Sequence, residues 1–427
     1  MRGVAKPDFG PDRLHGYLSA PSTPMGGNRV QLLQGGDDLF PAMLAAMAQA
    51  RREVWLATYI FDDDGAGRAV ADALVAAARR GVAVRVVVDG FGAYGTLATL
   101  RQWLAGSGVQ LEVFRPIERW WSWLLPGQLR RLHQKLCVAD DEIAFIGGIN
   151  IIDDRHDIKH GWTEAPRLDF AVAVQGPLVA SVRSTAQAMW ARARLGHRWP
   201  DEVKALAASR RPVDEARQLI RRLRGRGGQA LPPPPPLPVV ASFIVRDNVR
   251  RRAIERAYVE AMRSARQRID IAVPYFYPGR AFRRSLRQAA RRGVRVRLLM
   301  QGMVDYRIAA VAARVLYDEL RAHGVRIYEY TPAFLHAKVA LVDDQWATVG
   351  SSNIDPLSLL LNLEANVVVR DAGFTATLAE RLDAAFAAST EVLGAPARPG
   401  LRGWLRRGLV AWLATLYLRL AGITGRY

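Results

Sequence analysis

Ala78–Gly90 reads ARRGVAVRVVVDG, and the same pattern returns at Ala290–Gly302 as ARRGVRVRLLMQG. In each copy a helical segment runs into a glycine, Gly81 or Gly293, suited to a C-terminal cap, and a strand-like run rich in β-branched residues follows at once. Ahead of each copy lies another strand pattern, Glu53–Ile60 (EVWLATYI) and Arg268–Tyr275 (RIDIAVPY). Behind each come a further helix and a short strand, Val109–Phe114 and Val325–Tyr330. Strands alternating with helices, twice over, predict an α/β fold of two repeats, each a sheet covered by helices.

The chain of 427 residues has room for two or three domains at about 150 residues each. Between the copies, Asp201–Gly228 is charged and Arg-rich, and Leu231–Pro238 (LPPPPPLP) reads as a stiff polyproline II spacer. A linker between repeats is preferred to a ligand for an SH3-type domain. The expected organisation is a polar N-terminal segment over 1–28, a first repeat over 29–200, a linker over 201–240, a second repeat over 241–393 and an amphipathic tail over 394–427.

Hydrophobic residues at 50% and charged residues at 23% exclude wholesale disorder and a polytopic membrane protein. Lys and Arg number 60 against 40 Asp and Glu, a net +20, which favours anionic partners such as nucleic acid, acidic lipid headgroups or phosphorylated substrates. The one cysteine, Cys137, excludes an intrachain disulfide and any multi-cysteine metal site. No apolar run of signal-peptide length opens the chain, so secretion is not expected. The longest clean apolar stretch, Gly408–Leu418, falls well short of the about 20 residues of a spanning helix.

Chemistry concentrates where lysine is scarce. Only five lysines occur, and two of them follow a histidine by two positions: His133, Lys135, Asp140, Asn150, and His336, Lys338, Asp343, Asn353, with identical offsets of 2, 7 and 17. Leu132–Ala139 (LHQKLCVA) and Leu335–Val342 (LHAKVALV) both read as strands, on which His-x-Lys places imidazole and ammonium on one face. One imidazole can attack phosphorus, a second can protonate the leaving oxygen, and two ammonium groups can stabilise the non-bridging oxygens. Each repeat supplies one histidine, so the two repeats must face each other across a pseudo-twofold axis.

These paired motifs resemble the His-Lys-Asp signature of the phospholipase D superfamily, H-x-K-x4-D-x6-G-S-x-N. The second copy matches through Gly350, Ser351 and Asn353; the first departs from it as Gly147-Gly148-Ile149-Asn150 and lacks the serine. The segments LLQGGDDLFPAML, TYIFDDDGAG, RRGVAVRVVVDGFGAY and FIGGINI are similar to those of bacterial cardiolipin synthases. The resemblance spans about Val30–Gly176 and Phe243–Val369. It implies two pseudo-symmetric repeats, each a mixed β-sheet flanked by helices, with the active site at their interface. It also implies phosphatidyl transfer: two phosphatidylglycerol molecules would give cardiolipin and glycerol through a phosphatidyl-histidine intermediate, with no cofactor. His133 resembles the nucleophile and His336 the general acid and base, while Lys135, Lys338, Asn150, Asn353 and Ser351 would hold phosphate. Glu364 is expected to steady His133, and Asp169 to steady His336. The motif aspartates Asp140 and Asp343 read as structural, holding the turn after each strand.

Trp120, Trp121 and Trp123, beside Arg119, Arg130 and Arg131, are expected to form a membrane-facing lip rather than core. In the tail, Leu405, Leu409, Trp412, Leu416 and Leu420 share one helical face, with Trp404 beside it; an interfacial helix and packing on the body both remain open. His156 and His160 in DDRHDIKH read as a polar loop at the pocket rim rather than a metal pair, and no metal is expected. Cys137 reads as a buried apolar side chain. The expected partner is an anionic phospholipid membrane, at the cytoplasmic membrane of a bacterium and peripheral to it, with no nucleic acid and no obligate protein partner. Rival readings are a hydrolase releasing phosphatidic acid, a metal-independent nuclease whose polyanionic substrate would suit the +20 charge, and a non-catalytic membrane-binding protein.

Overall fold

In both copies of the repeated stretch the helix stops where its glycine takes a positive φ, +87° at Gly81 and +88° at Gly293. The next amide then bonds back to the helix, Val82 N–H to Ala77 C=O at 3.2 Å and Val294 N–H to Ala289 C=O at 3.1 Å, and so satisfies a carbonyl that the helix end would otherwise strand. The structure is a computed structural model and describes residues 23–117, 130–158, 160–208, 239–247, 250–303, 317–355, 358 and 362–393.

The first repeat runs β1 (Met25–Gln34), α1 (Gly35–Gln49), β2 (Glu53–Thr58), α2 (Gly65–Arg79), β3 (Ala83–Asp89), α3 (Leu97–Leu104), β4 (Gln110–Phe114), β5 (Leu136–Ala139), β6 (Ile143–Gly147), the short hairpin β7 (His156–Asp157) and β8 (Gly161–Trp162), β9 (Phe170–Gln175) and α4 (Leu178–Ala208). The second runs β10 (Val239–Arg246), α5 (Ala253–Ser264), β11 (Arg268–Ala272), α6 (Arg280–Arg291), β12 (Arg295–Gln301), β13 (Arg326–Tyr330), β14 (Val339–Val342), β15 (Trp346–Gly350), β16 (Glu364–Arg370), α7 (Ala372–Ala387) and β17 (Thr390–Glu391).

Within each repeat three strands are parallel, β2–β3–β4 and β11–β12–β13, and the rest antiparallel. The two sheets join edge to edge where β1 pairs antiparallel with β10, Met25 opposite Ala241 and Asn28 opposite Val239. One mixed sheet of 15 strands results, ordered β17-β13-β12-β11-β14-β15-β16-β10-β1-β9-β6-β5-β2-β3-β4, whose sequence of equivalent strands mirrors itself about the β10–β1 seam. Each repeat also has a core of its own under its helices: α2 buries Val70, Ala71, Leu74 and Ala77 on one face, and α6 buries Phe282, Leu286 and Ala289. A third core draws Leu132, Phe170 and Val172 from one repeat and Leu335, Leu363 and Val367 from the other, so apolar burial fastens the repeats together beneath the site.

Several boundaries differ from the expected ones. β1 begins at Met25, ahead of residue 29, and α4 runs to Ala208, past the start of the expected linker. The strands expected over Leu132–Ala139 and Leu335–Val342 are shorter, because the ladder begins only at Leu136 and Val339. The His-x-Lys segments are lead-ins whose backbone groups pair elsewhere. The polyproline run, Trp120, Trp121, Trp123, Trp404, Trp412 and the apolar tail face lie outside the described residues. Among the described residues no helix is long and apolar enough to cross a membrane.

Candidate active site at the repeat interface

Each His-x-Lys segment is hydrogen-bonded to the other repeat. His133 N–H donates to Leu363 C=O at 3.0 Å and Leu363 N–H to Arg131 C=O at 2.8 Å; in the counterpart, His336 N–H donates to Leu168 C=O at 2.9 Å and Leu168 N–H to Phe334 C=O at 2.8 Å. Leu363 and Leu168 immediately precede Glu364 and Asp169. This exchange therefore carries each carboxylate to the opposite histidine: Glu364 Oε2 lies 3.0 Å from His133 Nδ1, and Asp169 Oδ2 lies 2.6 Å from His336 Nδ1. In both rings it is Nδ1 that is committed to the carboxylate.

The lead-ins are held from below as well. Asp89, the last residue of β3, accepts from Leu132 N–H at 2.8 Å through Oδ2, and from Phe91 and Gly92 N–H through Oδ1. Gln301, the last residue of β12, accepts from Leu335 N–H at 3.3 Å. Sequence reasoning passed over both, although they close the repeated ARRGVxVRxxx stretch at the same position, Asp in one copy and Gln in the other. Asp89 is fully buried, and that burial raises its pKa to about 6 against the pull of Arg131 and the backbone donors.

The motif aspartates sit away from the histidines. Asp140 (φ +55°) accepts from Arg52 and Glu53 N–H at 2.8 Å and from Arg51 N–H at 2.5 Å, while Asp343 (φ +52°) accepts from Arg266, Gln267 and Arg268 N–H. Each thus ties the turn after β5 or β14 to the start of β2 or β11. Cys137 is buried among apolar neighbours on β5, and burial pushes its thiol up to about 12.

Lys135 and Lys338 are buried beside the histidines, and each ammonium donates to the carbonyl of its own histidine. Burial lowers their pKa values, to about 7 for Lys135 and about 8 for Lys338, against the attraction of Glu364 and Asp169. Burial likewise lowers both histidines; Glu364 opposes this at His133, whereas Lys338 adds to it at His336, which falls well below the usual value. A bound phosphate monoanion would reverse these shifts by supplying the missing negative charge. Asn150 Oδ1 accepts from Ile60 N–H at 3.2 Å, which turns its amide donors the other way; Asn353 Oδ1 has no hydrogen-bond partner.

Ser351 departs from its expected role. Its hydroxyl is fully buried and donates to Glu364 Oε2 at 2.6 Å, while accepting from Ala365 N–H at 3.0 Å, so it orients the carboxylate rather than facing phosphate. Burial alone would raise Glu364, but contacts with His133, Lys135 and Ser351 outweigh it and hold its pKa below the usual glutamate value. The equivalent of Ser351 is Gly148, where a Cβ would lie 2.3 Å from Asp169 Oδ1. Asp169 instead accepts from its neighbour Phe170 N–H, and burial raises its pKa to about 6. The two halves are therefore electrostatically unequal.

His156 and His160 do not come together. His156 Nδ1 lies 3.0 Å from Asp62 Oδ2 and 3.6 Å from Asp64 Oδ2, with its ring stacked on Trp162; His160 pairs with Asp157 at 2.8 Å. Among the described residues, Asp62, Asp64 and His156 form the one group whose donor atoms lie close enough to hold a cation. Phe91, Tyr94, Ile158 and Trp162 are large apolar side chains left exposed, and Phe91 lies 5.1 Å from the Arg131 guanidinium next to the first motif.

The chain matches the family described as cardiolipin synthase, PLD-like domain over residues 43–160 and 258–388, one match per repeat. It is 36% identical to cardiolipin synthase B of Escherichia coli over 413 residues, 93% of each chain, and 31% identical to cardiolipin synthase A of Pseudomonas putida over 87% of this chain and 71% of that one. In structure it is similar to phosphatidylserine synthase of Haemophilus influenzae, with a TM-score of 0.62 at 12% identity over 95% of this chain and 98% of that one.

Proposed function

The chain belongs to the cardiolipin synthase, phospholipase D-like family, and from that premise we propose that it joins two phosphatidylglycerol molecules into cardiolipin and glycerol at the surface of an anionic membrane. The observation that carries this reading is the crossed pair of His–carboxylate contacts, with a buried ammonium group bonded to the carbonyl of each histidine.

His133 Nε2 attacks the phosphorus of the first phosphatidylglycerol and the bond from phosphorus to the glycerol oxygen breaks, with His336 Nε2–H giving its proton to that oxygen. Glycerol leaves. The hydroxyl of the second phosphatidylglycerol then returns a proton to His336 Nε2 as its oxygen attacks phosphorus, the bond from phosphorus to His133 Nε2 breaks, and cardiolipin is released. Glu364 fixes the His133 tautomer and stabilises the ring as it becomes positively charged; Asp169 does the same for His336. Lys135, Lys338 and the amide groups of Asn150 and Asn353 take the charge on the non-bridging oxygens, where burial strengthens each contact. Ser351 acts through Glu364.

Membrane contact is peripheral in this reading. The exposed Phe91, Tyr94, Ile158 and Trp162, of which Phe91 packs on Arg131 beside the first motif, suit insertion among headgroups, and the excess of arginine suits an anionic leaflet.

Product analysis on phosphatidylglycerol vesicles without added metal tests the proposal. Cardiolipin and glycerol from the wild type, and neither from His133→Ala or His336→Ala, are expected. Phosphatidic acid as sole product would make the protein a hydrolase, and cleavage of nucleic acid in place of lipid would make it a nuclease.

A further inference from the structure

We infer that Arg246 forms a second anion subsite beside His133, which holds the phosphodiester of the acceptor lipid while the first phosphate reacts; this rests on the transfer reaction proposed above.

Arg246 ends β10 directly opposite Glu364 in the antiparallel register, so the two side chains stand on the same face of the sheet. Glu364 in turn reaches His133 at 3.0 Å, so the guanidinium and the reacting histidine share one carboxylate neighbour. Arg246 is 1% exposed, yet neither its Nε nor its Nη1 makes a hydrogen bond, and Glu364 Oε1 is also without one. The Glu364 charge is already engaged by His133, Ser351 and Lys135. At Nε and Nη1 the buried guanidinium lacks the bonds that normally offset its loss of water.

The surroundings deepen the deficit. Burial lowers the Arg246 pKa to about 10; Glu364 and Asp247 oppose this, while Arg130 and Arg251 add positive charge. A further anion would relieve the repulsion, and the planar fork of arginine matches phosphate oxygens.

In the opposite half the guanidinium that acts on His336 and Asp169 is Arg167, and it is already engaged: its Nη2 donates to His156 C=O at 2.8 Å and lies 3.8 Å from Asp157 Oδ2. β1 pairs with β9 as β10 pairs with β16, with Gln34 opposite Phe170, so the position beside Asp169 is Gly35, whose N–H donates to Asp169 C=O at 2.9 Å. What approaches there is a carboxylate: Asp154 Oδ2 would lie 2.8 Å from a Cβ at Gly35. The place related to Arg246 by the twofold therefore holds a glycine and a carboxylate, and the unbonded guanidinium belongs to one half. One phosphate at the pseudo-twofold axis is already served by two histidines and two lysines and needs no such group. Phosphatidylglycerol has a single phosphate, which in the donor is the reacting group, so a second anion in the site can come only from the acceptor.

The test holds the donor constant, phosphatidylglycerol in vesicles, and compares two soluble acceptors: isotopically labelled glycerol, whose transfer is read as label entering phosphatidylglycerol, and glycerophosphoglycerol, which carries the acceptor's phosphodiester without acyl chains. In the wild type glycerophosphoglycerol should be used at least tenfold better per mole, and Arg246→Gln should lower that ratio about tenfold or more, with Arg246→Lys between the two. Equal use of both acceptors by the wild type overturns the assignment without recourse to any variant. So does an unchanged ratio in Arg246→Gln with both transfers reduced alike, since that means Arg246 acts only through Glu364 or on the donor. Cardiolipin formation with transfer to neither soluble acceptor overturns the assignment, whereas absence of cardiolipin and of both transfers overturns the transferase reading itself, a separate result from loss of acceptor preference.

Discussion

His133 Nδ1 and Glu364 Oε2, 231 residues apart in the chain, meet at 3.0 Å, and the same carboxylate oxygen accepts from Ser351 at 2.6 Å. Replacing Glu364 by Gln removes the charge that holds the His133 tautomer. Cardiolipin formation should fall by about 10²- to 10⁴-fold, by analogy with loss of the orienting carboxylate in a hydrolase triad. Ser351→Ala removes one donor to that oxygen and should cost roughly tenfold, the equivalent of one hydrogen bond to a charged group. Initial rates on phosphatidylglycerol vesicles check both, and equal rates for Ser351→Ala and wild type would remove Ser351 from the positioning network.

The nucleophile can be told from the acid by a leaving group that needs no proton. With a p-nitrophenyl phosphodiester as donor, His336→Ala should still form the phospho-His133 adduct and release a burst of nitrophenolate, whereas His133→Ala should give none. Mass spectrometry of the trapped protein locates the adduct. An adduct on His336 would invert the assignment.

At Gly148 the serine of the second motif cannot be copied across. A Cβ there meets Asp169 Oδ1 at 2.3 Å, so Gly148→Ser should displace Asp169 from His336 and reduce activity by about 10²-fold or more. Ser351→Gly makes the reverse change with no new clash and should be milder. Parallel rates for the two variants decide the point.

Asp140→Ala and Asp343→Ala should lower stability more than activity per folded molecule. Each aspartate accepts three backbone N–H groups and sits at positive φ, so its loss strands those donors and strains the alanine, at a cost of about 2–4 kcal/mol. Asp→Asn tolerates the left-handed backbone better and should lose less. Urea midpoints, read beside specific activity of the folded fraction, check this.

The pH profile of kcat/KM should be bell-shaped. Asp169 must be ionised to orient His336 and its pKa is raised to about 6, so activity should rise with pH through that value. The alkaline limb belongs first to His336, which must carry the proton it donates and whose pKa burial lowers well below the usual value, and then to Lys135 and Lys338 at about 7 and about 8, so activity should fall as pH rises. Asp169→Asn should abolish the acid limb and leave a low, flatter profile below neutrality. A wild-type limb unmoved by that substitution would assign it to another group.

Much of the site was legible because its chemistry is local in sequence. The offsets from His133 to Asn150 and from His336 to Asn353 are set by one turn from β5 to β6 and from β14 to β15, and a duplicated chain repeats them. The less legible parts are those where a side chain is assigned by what stands across an interface. Ser351 reads as a phosphate ligand until Glu364 is seen to occupy its hydroxyl. His156 reads as part of a polar loop, and only the fold shows its ring beside Asp62 and Asp64. The strand reading of Leu132–Ala139 runs too far because its first residues pair with the other repeat, and hydropathy alternation does not reveal which strand supplies a partner.

The sequence by itself determined the duplication, the α/β class, the paired His-Lys motifs and the structural aspartates, since each rests on periodicity or on spacing within a few tens of residues. Only the tertiary structure decided that β1 and β10 fuse two sheets into one, that the segments before Glu364 and Asp169 cross to the opposite motif, and that Arg246 faces Glu364 where Asp154 approaches the equivalent Gly35. These depend on contacts between residues far apart in the chain. Burial then sets their energetics, because it removes the water that would otherwise make a lysine, an arginine or a carboxylate indifferent to its neighbours.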